Sequence, residues 1–322
     1  MRGTLICLVA FGMLVSEASA CCMASSGPPV WMKNETVIIV WDSVRKVQHF
    51  IRQADFDTKA REFGFIVPTP SVPDFGVADR FAFERLESLI PVPANADAAA
   101  GFAPASTKAA GGVEVLKTER VGDYQATVVK ATDGAKMNAW LKENGFVSRP
   151  AMTEWLDFYS KKSWVFTALK YVAKPGEITN TQALRLSFKT DKPHYPYKMP
   201  SDTFNDGDTR PLKLYFVSNS TVKSSYAISN DQWEAETVWS GPLPEDQRAG
   251  LAKDISLKTE DIPAGATVTI FENGEKESNF KEDLVFAGVA NWTPMIFGSV
   301  VLIAIAAWAF NQRNRRRFVP AT

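Results

Sequence analysis

The chain has 322 residues, 45% of them hydrophobic and 11% aromatic, with 36 basic residues balancing 36 acidic ones. So much apolar content excludes a disordered stalk, and the lack of a basic excess excludes nucleic-acid binding by charge. The balance hides an asymmetry: without Arg2, Glu17 and four arginines near the C-terminus, 31 basic residues face 35 acidic ones, a body near −4.

Residues 1–20 carry Arg2, an apolar run over 5–15 and then Ala18-Ser19-Ala20. That order of charge, apolar core and small-x-small site reads as a secretory signal peptide cut after Ala20. Cys7 leaves with it, so the mature chain keeps only the adjacent Cys21 and Cys22, and no disulfide framework can stabilise the fold. The pair admits four readings: a strained vicinal disulfide, exchange-active thiols, lipid attachment at Cys21, or a purely structural role. Ala18, where lipid-attachment sites usually carry Leu, counts against the third.

A β-rich unit is expected over 21–93. The run VIIVW at 37–41 suits a strand buried on both faces, 42–46 a turn, and 47–54 a partner strand. A third strand over 63–67 runs into Pro68, Pro70 and Pro73, which predict a stiff extended loop. Asp79 caps a helix whose Phe83, Leu86 and Ile90 share a face, and Pro91 stops it. Residues 94–112, thin in everything but Ala, Gly, Ser and Asn, read as a linker or insertion.

A second α+β unit is expected over 113–283. Strands over 113–121 and 124–131 flank Gly122-Asp123, a two-residue hairpin signal. Asp133 caps a helix with Met137, Trp140 and Leu141 on one face, stopped by Asn144-Gly145. Pro150 opens another helix, with Met152, Trp155, Leu156 and Tyr159 at i, i+3, i+4 and i+7. Strands return over 163–172, at Leu184, Leu186 and Phe188, at Leu212, Leu214 and Phe216, and over 268–271.

From Leu284 to Gln312 no residue is charged, and 295–310 is nearly all apolar. Such a stretch can cross ~30 Å of hydrocarbon as a helix, here over 292–311. Trp292 and Trp308, about 24 Å apart on a helix, suit the two membrane interfaces. Arg313, Arg315, Arg316 and Arg317 follow as a stop-transfer cluster in a basic cytoplasmic tail, 312–322. The whole predicts α+β architecture, predominantly antiparallel β with a few short helices, plus one C-terminal transmembrane helix.

Several stretches carry a family resemblance: Ala20-Cys21-Cys22, Val40-Trp41-Asp42 followed by His49-Phe50-Ile51-Arg52, the run FGFIVPTP at 63–70, WLKENGF at 140–146, and Tyr195-Pro196. Together they resemble a bacterial family called domain of unknown function 2330, over roughly 21–200. The resemblance implies a secreted or surface-attached protein, often with a C-terminal anchor. It brings no activity, cofactor or catalytic residues with it.

No catalytic group, cofactor or metal site is expected from the residues themselves. Only His49 and His194 could join a zinc site that needs about four ligands, and Asp202, Asp206 and Asp208 lack EF-hand spacing. No Gly-x-Ser-x-Gly elbow occurs, and Glu234 with Glu236 reads as surface charge. Trp233 and Trp239 lie in a polar stretch where an exposed aromatic could anchor a partner. The leading expectation is a non-enzymatic binding or envelope-associated module, single-pass in the cell membrane, with an extracytoplasmic body. The alternatives are a thiol oxidoreductase using Cys21 and Cys22, a hydrolase without a recognisable motif, or a body released through a C-terminal sorting signal.

Overall fold

The computed structural model describes residues 22–24, 30–58, 62–91, 113–146, 148–172, 182–205 and 207–289. The segments 1–20, 94–112, 292–311 and 312–322 fall outside them, as do Cys21, Trp292, Trp308, Arg313, Arg315, Arg316 and Arg317. Among the described residues no helix is long and apolar enough to cross a membrane.

In chain order come β1 (Cys22–Ala24), β2 (Val30–Asp42), β3 (Val47–Thr58), β4 (Glu62–Thr69), β5 (Asp74–Ala78) and α1 (Phe81–Glu87). Then follow β6 (Glu114–Val121), β7 (Tyr124–Lys130), α2 (Gly134–Glu143), α3 (Pro150–Ser160), β8 (Val165–Val172), β9 (Ala183–Lys189) and β10 (His194–Tyr195). The remainder is β11 (Leu212–Ser218), β12 (Val222–Tyr226), β13 (Glu236–Pro242), α4 (Glu245–Asp254), a 3₁₀ turn (Thr259–Asp261), β14 (Thr267–Glu272) and β15 (Leu284–Gly288).

A seven-stranded sheet runs β13-β14-β11-β2-β3-β9-β5, a five-stranded one β1-β4-β8-β7-β6, and a small one β10-β15-β12. Pairing is antiparallel except between β11 and β2, which run parallel with Leu214 opposite Val37 and Phe216 opposite Ile39. The fold is therefore α+β and rich in antiparallel strands, with four short helices. Both large sheets combine strands from before residue 93 with strands from after residue 112, and the elements up to Ala287 belong to one unit.

Burial explains the layering. Val37 and Ile39 of β2 join Phe65, Ala126, Leu169 and Phe216 in a core between the two large sheets. Ile38 and Val40, pointing the other way, join Phe83 of α1 and Leu251 of α4. A third cluster packs Ile66, Val129 and Phe166 under Met137 and Trp140 of α2 and Trp155 and Leu156 of α3. The result is helices, sheet, sheet, helices, with β2 buried on both faces.

Local signals act where expected. Gly122 turns the β6–β7 hairpin at φ 56°, Asp133 caps α2 by accepting from Lys136 N at 2.8 Å, Gly145 ends it at φ 77°, and Pro150 opens α3. Pro68 is a correction to the expected loop: it lies inside β4, opposite Phe166 of β8. Proline is tolerated in a strand where its missing N–H faces no partner, and the pairing of β4 with β1 is described only as far as Ile66.

Helix α2 meets α3 closely because Gly134 has no side chain; a Cβ there would overlap the Thr153 carbonyl oxygen and sit 2.6 Å from Asp157 N. Gly134→Ala should therefore lower stability by about 1–3 kcal/mol although alanine favours helix, read as a reduced urea midpoint at unchanged slope.

Candidate functional site

The hairpin β6–β7 and the ends of α2 and α3 enclose an open cavity of about 520 Å³ lined by Glu114, Lys130, Thr132, Lys136, Ser160 and Ser163. A β-bulge builds one wall. Symmetry about the Gly122-Asp123 turn would set Glu114 opposite Ala131, but the register shifts between Val115 and Lys117 and places Glu114 opposite Lys130. Neither Glu114 nor Lys130 has an ion-pair partner among the described residues. Lys136 is engaged, donating to Thr132 Oγ1 at 2.9 Å and lying 3.1 Å from Asp133 Oδ2.

Ser160, the last residue of α3, is 7% exposed, and its Oγ has no hydrogen-bond partner among the described residues. Ser163 sits in the following turn at φ 60°, donating its N–H to Ser160 O at 2.8 Å. A cavity of this size suits a small ligand, but the Ser160 hydroxyl is sealed off from it by protein.

Three other polar clusters are closed. On the helix-covered face of the seven-stranded sheet, His49 of β3 pairs in register with Ser187 of β9, and His49 Nδ1 lies 2.8 Å from Ser187 Oγ. Arg185 donates to the same oxygen and lies 3.8 Å from Asp74 Oδ2. Burial, and then the Arg185 guanidinium, hold His49 down to about 4. At neutral pH the imidazole is uncharged, and its tautomer sets which of Nδ1 and the Ser187 hydroxyl donates. The pair looks like the first link of a serine–histidine dyad, yet a base so weak and only 6% exposed is poorly matched to removing a serine proton.

Inside the core between the sheets, Glu35 accepts from Arg52 Nε at 2.6 Å and from Arg210 Nη2 at 2.9 Å. Burial pushes this carboxyl up, but the two guanidiniums outweigh it and hold it below the usual carboxylate range. Beside the small sheet, Asp283 accepts from Tyr159 Oη at 2.6 Å and from Lys198 N at 3.2 Å, while Lys162 lies over the Phe158 ring at 3.9 Å. Burial raises Asp283 and lowers Lys162.

The sequence model of one family, "Uncharacterized protein conserved in bacteria (DUF2330)", matches residues 15–241. The chain belongs to this family. No curated protein matches the DUF2330 chain. Among solved structures it is similar to baculovirus P35 over 84% of its length and 100% of that chain, at 10% identity and a TM-score of 0.41. A mutated baculovirus P35 after caspase cleavage is similar over 80% and 100%, at 10% identity and a TM-score of 0.38. Likeness at that level carries no argument about function.

The residues singled out from the DUF2330 sequence are scattered rather than assembled. Cys22 lies in β1, its backbone opposite Ile66 at the outer edge of the five-stranded sheet. Trp233 is a correction: far from exposed, it is 1% accessible, with its ring 5.9 Å from both Tyr197 and Phe271. Its polar neighbours misled because only every second position in that stretch faces inward. Trp239 is half-buried on the edge strand β13, packed over Gly241. Glu234 accepts from Tyr226, whereas Glu236 pairs with Lys276 at 2.9 Å. Asp202 pairs with Arg149 at 3.4 Å and Asp208 accepts from Asn205 N at 2.7 Å. Among the described residues no group of His, Cys, Asp or Glu is placed to hold a metal.

Proposed function

We propose that the protein is an exported, single-pass membrane-anchored binding module of the bacterial envelope. Its body stands outside the cytoplasmic membrane, the segment 292–311 spans it, and the arginine-rich tail 312–322 lies inside. The signal-type segment 1–20 and the uncharged stretch ahead of Arg313 support the topology. The binding role is supported by one observation: an open cavity of about 520 Å³ whose lining sets Glu114 opposite Lys130. The strongly perturbed groups His49, Glu35 and Asp283 belong to closed networks, which favours binding there over chemistry elsewhere.

The topology is tested by adding protease to spheroplasts of cells producing the chain with a C-terminal epitope. The body should be digested while a short epitope-bearing fragment survives and resists alkaline carbonate extraction. A body protected until lysis would overturn the topology. Loss of the epitope from the mature protein would point instead to a cleaved sorting signal.

A further inference from the structure

We infer that the protein cross-links itself: Lys162 Nζ and the Asp283 carboxyl join as an amide, tying the end of α3 to the segment that enters β15. The inference depends neither on the cavity nor on the topology proposed above. A closed network turns over no substrate from outside, but its members can react with one another.

Backbone bonds place the two partners. The turn that closes α3 is fixed by Lys162 N donating to Tyr159 O at 3.1 Å, Ser163 N to Ser160 O at 2.8 Å and Trp164 N to Tyr159 O at 3.2 Å. Lys162 thus lies among its own neighbours, with Nζ 3.9 Å from the Phe158 ring centroid, 5.2 Å from that of Trp164 and 5.6 Å from that of Tyr159. Before reaction these rings hold the ammonium by cation–π attraction. On the other side, Ala227 N donates to Asp283 O at 2.8 Å, and Asp283 immediately precedes β15. Nζ comes to 3.9 Å from Asp283 Oδ2. Near-attack pairs stand about 3–3.5 Å apart, and a flexible lysine arm covers the difference.

The carboxyl is held as an acyl acceptor. Oδ1 accepts from Tyr159 Oη at 2.6 Å and from Lys198 N at 3.2 Å, so two donors already face the oxygen on which charge develops when Cγ is attacked. Oδ2, on the lysine side, is the oxygen that leaves. An ammonium cannot attack and a carboxylate cannot release its oxygen, so the reaction starts from the uncharged pair. Burial drives both groups toward it. It raises Asp283 despite the hydrogen bond from Tyr159, and it lowers Lys162 against the pull of Asp283, helped by the nearby Lys198 charge.

The step needs no co-reactant. The Nζ lone pair bonds to Cγ, Oδ1 carries the transient charge, and collapse breaks the Cγ–Oδ2 bond. One Nζ hydrogen leaves with the departing hydroxyl, so the products are a secondary amide and one water. A neutral amide also suits the enclosed site better than two charges. It closes a loop over 162–283 in a chain whose cysteines, at 7, 21 and 22, cannot do so. Asp283 titrates only in the fraction not yet joined.

The test is mass spectrometry of the full chain purified in detergent, denatured and reduced, read intact and after proteolysis. After allowing for each substitution, wild type should weigh one water less than Lys162→Arg and Asp283→Ala. Its digest should contain a branched peptide joining Lys162 to Asp283. Lys162→Arg keeps a cation beside Asp283, and an unchanged near-ultraviolet circular dichroism spectrum separates failure to join from failure to fold. Tyr159→Phe keeps both reacting groups and should slow joining in pulse-labelled chain about a hundredfold or more, the cost of one lost oxyanion donor. Equal corrected masses for wild type and Lys162→Arg, or a linear digest with Lys162 open to acetylation, would each overturn the inference. Joining at an unchanged rate in Tyr159→Phe would overturn the part given to its hydroxyl.

Discussion

Replacing Glu35 by Gln should remove about 3–5 kcal/mol of stability, a large part of the roughly 5–15 kcal/mol that holds most domains together. The carboxylate is the shared acceptor of Arg52 and Arg210, and all three side chains are almost completely enclosed. Arg210 is further committed: it donates to Tyr197 O at 3.0 Å and to Tyr195 Oη at 2.7 Å, and its guanidinium lies 4.1 Å from the Tyr197 ring centroid. Glutamine keeps the shape of the side chain and removes the charge, leaving two cations in a region with no water to solvate them. For a body of this size the melting temperature should fall by roughly 6–20 °C at about 2–4 °C per kcal/mol. Arg210→Met is the informative comparison. It deletes one cation and leaves Glu35 paired with Arg52, so it should cost clearly less. Calorimetry on both variants checks the ordering, and equal losses would mean that packing, not charge, governs this part of the core.

The second large effect is with pH. Burial holds His49 and His194 down to about 4, against 6.5 for a free imidazole. His194 lies 4.7 Å from the Trp164 ring and 5.6 Å from that of Phe188, an environment that stabilises only the neutral form. Above about pH 6.5 neither folded nor unfolded chain holds the proton, and the histidines contribute no pH dependence. Between about 6.5 and about 4 the unfolded chain binds protons that the folded chain refuses, so stability falls as pH falls. The loss approaches about 3 kcal/mol per histidine and levels off below about pH 4, where both states are protonated. Glu35, held low in the fold, adds its own loss as pH drops through the folded value. Asp283, raised by burial, works in the opposite direction just above the ordinary carboxylate range and takes back part of the slope. Urea midpoints should stay level from pH 8 to about pH 6.5 and fall from there to pH 4, and His49→Gln should make that fall shallower. A midpoint flat across that range would mean that both imidazoles take up protons in the folded state.

Much of the local architecture was legible in the sequence because its causes are local. The VIIVW run predicted the doubly buried strand, Gly122-Asp123 the hairpin, Asp133 and Gly145 the ends of α2, and Pro150 the start of α3. Helix α4 was not legible, since its inward face amounts to little more than Leu251 and Ala252 among charged residues. The parallel contact of β2 with β11 joins segments some 175 residues apart, and no periodicity records such a partner. Arg210, next to Pro211 in a stretch for which the sequence offers no pattern, is 1% exposed because Glu35 and two tyrosines surround it. The cavity was hidden for a similar reason. Its lining comes from four elements and the turns between them, and a single bulge decides that Glu114 faces Lys130.

The parallel seam of the large sheet also bears on how the protein reaches its native state. β2 is among the first segments synthesised, and one of its two neighbours is supplied only by residues 212–218, themselves flanked by a strand from 267–272. Until those segments exist, Val37, Ile38, Ile39 and Val40 form half of a sheet edge with an open side. Topologies dominated by such distant pairings close slowly, and their unfinished edges are prone to pair with other chains. The body is thus built to assemble late, after nearly its whole length is available. Until then β2, paired with β3 on one side, depends on its other edge staying free of other chains.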